Sequence, residues 1–182
     1  MRNFVRIADG VEVVPLLLAL ARQPHLWNQN TLRTQHSGTA HAEVDDIWLR
    51  FNEIPEGQPE LVADATECIN YPAFAALPQA RPLIFGLMAK VEGERLGRCM
   101  VTRLKPGGRI LPHDDMGAPA TYYERYHIVL LSEPGCIFAA GDEKVNMRTG
   151  DVYWFDNTQT HEVWNNSQED RVHLIVDIRT GK

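Results

Sequence analysis

After Gly97 the chain changes texture. From Arg98 to Ile178 it runs as short apolar, β-branched and aromatic segments, RCMVTRL, YHIVLL, CIFAA, KVNMR, DVYWF, HEVWN and RVHLIVDI. Turn residues separate them at Pro106-Gly107-Gly108, Glu133-Pro134-Gly135, Gly141-Asp142, Thr149-Gly150 and Asn165-Asn166-Ser167. Runs this short, punctuated this often, are read as strands, and seven of them in succession predict a sandwich or barrel of the jelly-roll kind. Ahead of Gly97 the patterns are helical: a segment from Pro15 to about Arg22, a short one at PAFAAL, and Pro82 to Val91 with Leu83, Ile84, Leu87, Met88 and Val91 at helix spacing. Between them IWLRF alternates like a strand and EIPEGQPE reads as loop. The expected fold is mainly β with N-terminal helices on one outer face of the barrel. One domain is expected over 1–182, with a helical and mixed part at 1–97 and a β core at 98–179.

Composition narrows the function. A chain of 182 residues that is 44% hydrophobic can bury one sizeable core. Its formal net charge of −6, with no basic run, argues against nucleic acid or an anionic membrane surface as the main partner, because both reward clustered Lys and Arg. Cys68, Cys99 and Cys136 lack C-x-x-C spacing, which suggests neither a disulfide framework nor a thiolate zinc site and makes a reducing cytoplasm the expected home. Arg2 and Arg6 followed by VVPLLLALA sketch a secretory signal. Asp9 and Glu12 just before the apolar run speak against it, and Pro15 suits the first turn of an amphipathic helix instead. No apolar stretch approaches the ~20 residues that span a bilayer.

Against this apolar background one stretch stands out. LPHDDMGAPATYYERYHIVLL, Leu111 to Leu131, otherwise reads as strand yet carries His113, Asp114, Asp115, Arg125 and His127. Burying such groups without partners costs several kcal/mol, so they need a ligand, a metal or one another. In extended chain His113 and Asp115 point the same way, and His161 offers a second imidazole further on. Two histidines and one carboxylate are the ligand set of non-haem Fe(II) sites. Arg125 with His127, and Arg171 with His173, likewise share strand faces. An inward arginine needs an anion, either Asp177 or Glu124 from the chain itself or a small dicarboxylate.

The run R-x-H-x-x-L at Arg125, then GDVYWFDNTQTHEVWNNS, then RVHLIVDI resembles the C-terminal core of the aspartyl/asparaginyl β-hydroxylase family over about Arg98 to Ile178. The resemblance implies a double-stranded β-helix and an Fe(II)- and 2-oxoglutarate-dependent dioxygenase that consumes O2. It implies that His113 and His161 bind iron and that Arg171 grips the distal carboxylate of 2-oxoglutarate, helped by Arg125, His127 and Thr102. Some members of the family use two histidines only, but Asp115 is present here, and the full set His113, Asp115 and His161 is expected. His173 stands where an apolar residue is expected. The implied substrate is a free amino acid or a residue of a peptide or protein, and Arg33, Arg50 and His173 are the candidates to contact it. Two alternatives stay open: a cupin-like metalloenzyme that does not use 2-oxoglutarate, and a catalytically silent domain that binds a small anion. Trp154, Phe155 and Trp164 are read as core, Asp156 and Asn157 as turn-shaping or ligand-orienting, and His25, His36 and His41 as facing solvent or the substrate mouth.

Overall fold

A computed structural model describes residues 2–54 and 65–181. In chain order its strands are β1 (Phe4–Ala8), β2 (Val44–Phe51), β3 (Ile69–Asn70), β4 (Gly93–Leu104), β5 (Arg109–His113), β6 (Glu124–Leu131), β7 (Cys136–Ala140), β8 (Glu143–Val145), β9 (Val152–Phe155), β10 (His161–Asn165) and β11 (Arg171–Thr180). Its helices are α1 (Val14–Arg22), α2 (Leu32–Gln35), α3 (Pro72–Ala76), α4 (Ala80–Lys90) and α5 (Ala118–Tyr122). The strands form a seven-stranded sheet ordered β1-β9-β6-β11-β4-β2-β3 and a four-stranded sheet ordered β5-β10-β7-β8. This is a double-stranded β-helix, mainly β with a few helices.

Alternation along β11 shows how the large sheet is held. Leu174, Val176 and Ile178 join the cluster that contains Leu16 and Leu20 of α1 and Ile84 and Leu87 of α4, so this face packs on the helices. The intervening residues Arg171, His173, Ile175 and Asp177 point to the other face, because successive side chains of a strand alternate. Each large aliphatic side chain buried in the helix-covered layer stabilises the fold by ~1.5–3 kcal/mol. On the inner face Phe4, Val129, Phe138, Phe155 and Val163 pack between the two sheets. A smaller cluster of Trp48, Phe51, Met100 and Ile175 lies further along the same face.

The N-terminal part is more than a helical layer on the barrel. β1, β2 and β3 are members of the large sheet, and β1 pairs with β9 from Phe4↔Phe155 to Ala8↔Val152. That pairing joins residues about 150 positions apart, so no local window reveals it. β4 begins at Gly93 rather than Arg98, since its partner β11 continues to Thr180↔Gly93 and its backbone groups are satisfied there despite the poor strand propensity of GERLG. β8 is shorter than KVNMR. The stretch from Leu111 to Leu131 is not continuous strand: β5 ends at His113, α5 follows, and β6 starts at Glu124. Gly117, at φ 83°, turns the chain between Asp115 and α5, a conformation in which a Cβ would be strained. Of the EIPEGQPE loop, only residues 53 and 54 lie among the described residues.

Candidate metal centre

Strand register brings two distant histidines together. β5 and β10 are antiparallel neighbours with His113 opposite His161, and their rings sit 4.2 Å apart between centroids. Asp115, two residues past the end of β5, turns back so that its Oδ1 lies 3.9 Å from His161 Nε2. One donor atom from each of His113, Asp115 and His161 lies within 4.8 Å of the others. Two donors about 2.1 Å from a shared ion lie up to ~4.2 Å apart, so small side-chain adjustments close the set.

Tautomers and charges suit a cation. His113 Nδ1 donates to the Leu111 carbonyl at 2.8 Å and His161 Nδ1 to the Gln159 carbonyl at 2.9 Å, which leaves both Nε2 atoms as bare donors to a metal. The Gln159 carbonyl is itself set by a turn in which Asp156 accepts from Thr158 and Gln159. Asn157 Nδ2 donates to the Ala120 carbonyl and ties this turn to α5. Burial pushes the His161 pKa down, favouring the neutral ring that ligates. Burial raises the Asp115 carboxyl, but Arg125 and the two facing histidines outweigh it and hold it below its usual value. Two imidazoles and one carboxylate with solvent-accessible space beside them make a facial donor set for a hard-to-intermediate divalent cation.

Arg125 does something other than reach for a free anion. Its Nε and Nη2 clasp Asp177 at 2.8 and 2.9 Å, and its Nη1 donates to Asp115 at 2.6 Å. The guanidinium is therefore occupied by two carboxylates, and its effect on a metal runs through the orientation of Asp115. Removing it strands the buried Asp177 and the half-buried Asp115. We expect Arg125→Met to cost ~3–5 kcal/mol of stability and to weaken Fe(II) binding ~10–100-fold, as read by urea unfolding and anaerobic titration; an unshifted iron affinity would detach Arg125 from the centre.

Arg171 is the contrasting case. It is 3% exposed, lines the cavity beside the centre, and among the described residues makes no ion pair. The guanidinium carbon lies 5.7 Å from the Phe138 ring, and Nη2 lies 3.2 Å from His173 Nδ1. Burial draws its pKa down to about 10. A buried cation without a counter-charge is costly, and an incoming carboxylate removes that cost. Thr102 and His127 line the same cavity.

Other expected residues divide. Arg33 lies at the cavity but is clasped to buried Asp46 at 2.7 and 2.9 Å. Arg50 is outside the cavity wall, bonded to Asn70 and to the Leu96 carbonyl, because a bulge between Trp48 and Arg50 turns the strand and brings Phe51 to the cavity instead. His173 is 0% exposed and does not reach the cavity, so it cannot touch a substrate. His41 does line it, with its ring 4.5 Å from that of His113. The sequence offered little to single out Asp46, the second of two acids at the start of β2, or Trp48 and Met100, whose types suit a strand of any sheet. The whole cavity is about 850 Å3.

His127 and His173 also predict a pH dependence. Burial, then the charge of Arg171, holds both well below the usual imidazole value. The unfolded chain takes up protons below ~pH 6.5 that the folded chain refuses, so stability is full above that value and falls as pH drops. Each ring contributes ~1.4 kcal/mol between pH 7.5 and 5.5, and the pair nearly ~3. Burial lowers His41 and His161 too, so they add to the loss in the same direction; urea unfolding of the metal-free protein at the two pH values measures the sum, and equal stabilities would mean that these rings bind protons in the native state.

Fold and donor set define a class: double-stranded β-helix proteins with two histidines and one carboxylate spaced so that they could hold a metal ion. Within that class the chain belongs to the aspartyl/asparaginyl β-hydroxylase family, whose description, Aspartyl/Asparaginyl beta-hydroxylase, matches residues 17–180. It is 28% identical over 91 residues to the aspartyl/asparaginyl beta-hydroxylase of Mus musculus and 29% over 90 residues to that of Homo sapiens. These matches cover 50% and 49% of this chain but 12% of each relative. Among solved structures, the non-heme alpha ketoglutarate dependent epimerase SnoN from nogalamycin biosynthesis superposes with a TM-score of 0.64 at 16% identity, over 98% of this chain and 78% of SnoN. An oxidoreductase of the 2OG-Fe(II) oxygenase family from Burkholderia pseudomallei gives 0.55 at 14% identity, over 75% of this chain and 66% of that one. At these identities the shared property is the fold.

Proposed function

We propose that this protein is an Fe(II)- and 2-oxoglutarate-dependent hydroxylase acting on an amino acid or on an amino-acid residue of a peptide or protein. The observation that carries it is the pairing of a His113–Asp115–His161 donor set with Arg171, a buried cation that lines the same cavity and has no ion-pair partner among the described residues. Family membership supports it, as does SnoN, which has been solved in complex with Fe3+, alpha ketoglutarate and nogalamycin RO. Three free cysteines, two of them buried, support a reducing compartment such as the cytoplasm.

When bound, iron and 2-oxoglutarate supply the oxidation: O2 is consumed, the keto acid is decarboxylated to succinate and CO2, and a C–H bond of the substrate becomes an alcohol. The chain's own share is placement. His113, Asp115 and His161 would hold the metal by two bare Nε2 atoms and a carboxylate, and Arg125 fixes that carboxylate through its clasp on Asp177. Arg171 would pair with the distal carboxylate of 2-oxoglutarate, with Thr102 and His127 beside it. The cavity is large for a five-carbon diacid alone, since drug-sized ligands fill pockets of ~300–1,000 Å3. Part of its wall is the apolar group of Trp48, Phe51, Met100 and Ile175, which would limit water on that side of the reacting carbon.

Succinate formation tests the proposal. Anaerobically reconstituted protein supplied with 2-oxoglutarate, ascorbate and O2 is expected to release succinate, and mass spectrometry across amino acids and peptides to show a +16 product. Stoichiometric iron binding with no succinate from any mixture would point instead to a metalloenzyme that does not use 2-oxoglutarate.

A further inference from the structure

At the cavity wall three nitrogen-bearing side chains meet with conflicting demands, Arg171 and His127 on the wall and His173 behind it. His173 Nδ1 lies 3.2 Å from Arg171 Nη2 and 3.0 Å from His127 Nδ1, while His173 Nε2 is buried with no hydrogen-bond partner. A guanidinium only donates, so the first contact requires His173 Nδ1 to be a bare acceptor. Both rings are neutral, held so by burial and by the nearby arginine. A neutral imidazole carries one proton, which on His173 must then sit on Nε2, where nothing accepts it. Two bare nitrogens 3.0 Å apart would repel, so His127 carries its proton on Nδ1. Its Nε2 is left bare, and His127 lines the cavity as an acceptor, the wrong polarity for a carboxylate.

An anion on Arg171 lifts the constraint. Once Nη2 is drawn to the carboxylate, His173 Nδ1 can hold its proton and donate to His127 Nδ1. His127 then carries its own proton on Nε2 and can donate to the same carboxylate. Each ring has one proton in either arrangement, so no charge is gained or lost. The atom left unpaired at His173 Nε2 changes from an N–H to a bare nitrogen, and buried acceptors without partners are better tolerated than buried N–H donors.

We propose that His173 is a positioning residue that sets the tautomer of His127, so that a carboxylate arriving at Arg171 converts His127 from acceptor to donor and gains a second hydrogen bond. The inference rests on the 2-oxoglutarate reading of Arg171. Long-range 1H–15N NMR of the imidazoles in the full chain, with Zn(II) in place of iron, reads the tautomers directly. Without 2-oxoglutarate the protons should lie on His127 Nδ1 and His173 Nε2; at saturation they should lie on His127 Nε2 and His173 Nδ1. His173→Leu should weaken 2-oxoglutarate binding about tenfold with metal stoichiometry unchanged, and His173→Asn, whose amide can donate from near the Nδ1 position, should restore it to within about threefold. Tautomers that stay put while wild-type protein binds 2-oxoglutarate would overturn this inference and leave the proposed function standing. Failure of the wild-type protein to bind 2-oxoglutarate at all would overturn both.

Discussion

His161→Ala is expected to abolish stoichiometric Fe(II) binding, where the wild-type chain takes up one ion. The expectation follows from position. His161 stands opposite His113 across the β5–β10 pair with its Nε2 3.9 Å from Asp115, and these three form the one donor group of metal-binding spacing found among the described residues. Loss of groups that merely orient ligands already costs ~10–100-fold in affinity, and loss of a ligand should exceed that. The fold should survive, because β10 keeps its backbone pairing to both β5 and β7 and the alanine stays apolar. Anaerobic titration alongside far-UV circular dichroism separates the two effects: normal iron uptake by a folded variant would remove the proposed site.

Arg171→Met should act in opposite directions on binding and on stability. Without the guanidinium, 2-oxoglutarate loses the partner of its distal carboxylate, and breaking a buried hydrogen-bonded charge pair costs ~2–5 kcal/mol, or at least about 30-fold in affinity. Iron binding should change little, since none of the three donors contacts Arg171. The ligand-free protein should become more stable by ~1–3 kcal/mol, because an apolar side chain of similar length replaces a buried cation that has no counter-charge. A structural arginine would behave differently. If the variant were destabilised and its 2-oxoglutarate affinity unchanged, Arg171 would belong to the scaffold and the anion pocket would lie elsewhere.

The two variants probe residues whose legibility differed. H-x-D and the distant His161 could be picked out by residue type and by the family resemblance, although strand alternation is not what brings Asp115 to the set, since β5 ends at His113 and the chain turns back beyond it. Arg171 was visible through strand alternation, as an arginine on a strand face that must turn inward. Arg125 looked equivalent to it in sequence. The structure separates them, since Asp177 on β11 lies directly across from Arg125 on β6 and takes up its fork, while no acid sits opposite Arg171 on either neighbouring strand. His173 is a similar case. Its strand face was readable, but Val129 and Thr102 flank it in the sheet and His127 lies in front of it, so it is walled off from the cavity it was expected to serve.

By itself, then, the order of residues determined what is periodic or local: the run of short strands after Gly97, the helices near Pro15 and Pro82, the turns, and the residue types able to hold a metal and an anion. Tertiary structure alone decided what depends on pairing between remote segments. That includes the capture of β1 by β9, the opposition of His113 and His161, and which arginine is neutralised by a carboxylate. The physical reason is that alternation and propensity act over a few residues, whereas register is settled by backbone hydrogen bonds and core packing summed over whole strands. A single ångström-scale choice of neighbour across the sheet then fixes whether a charged side chain meets another protein group or is left for a ligand.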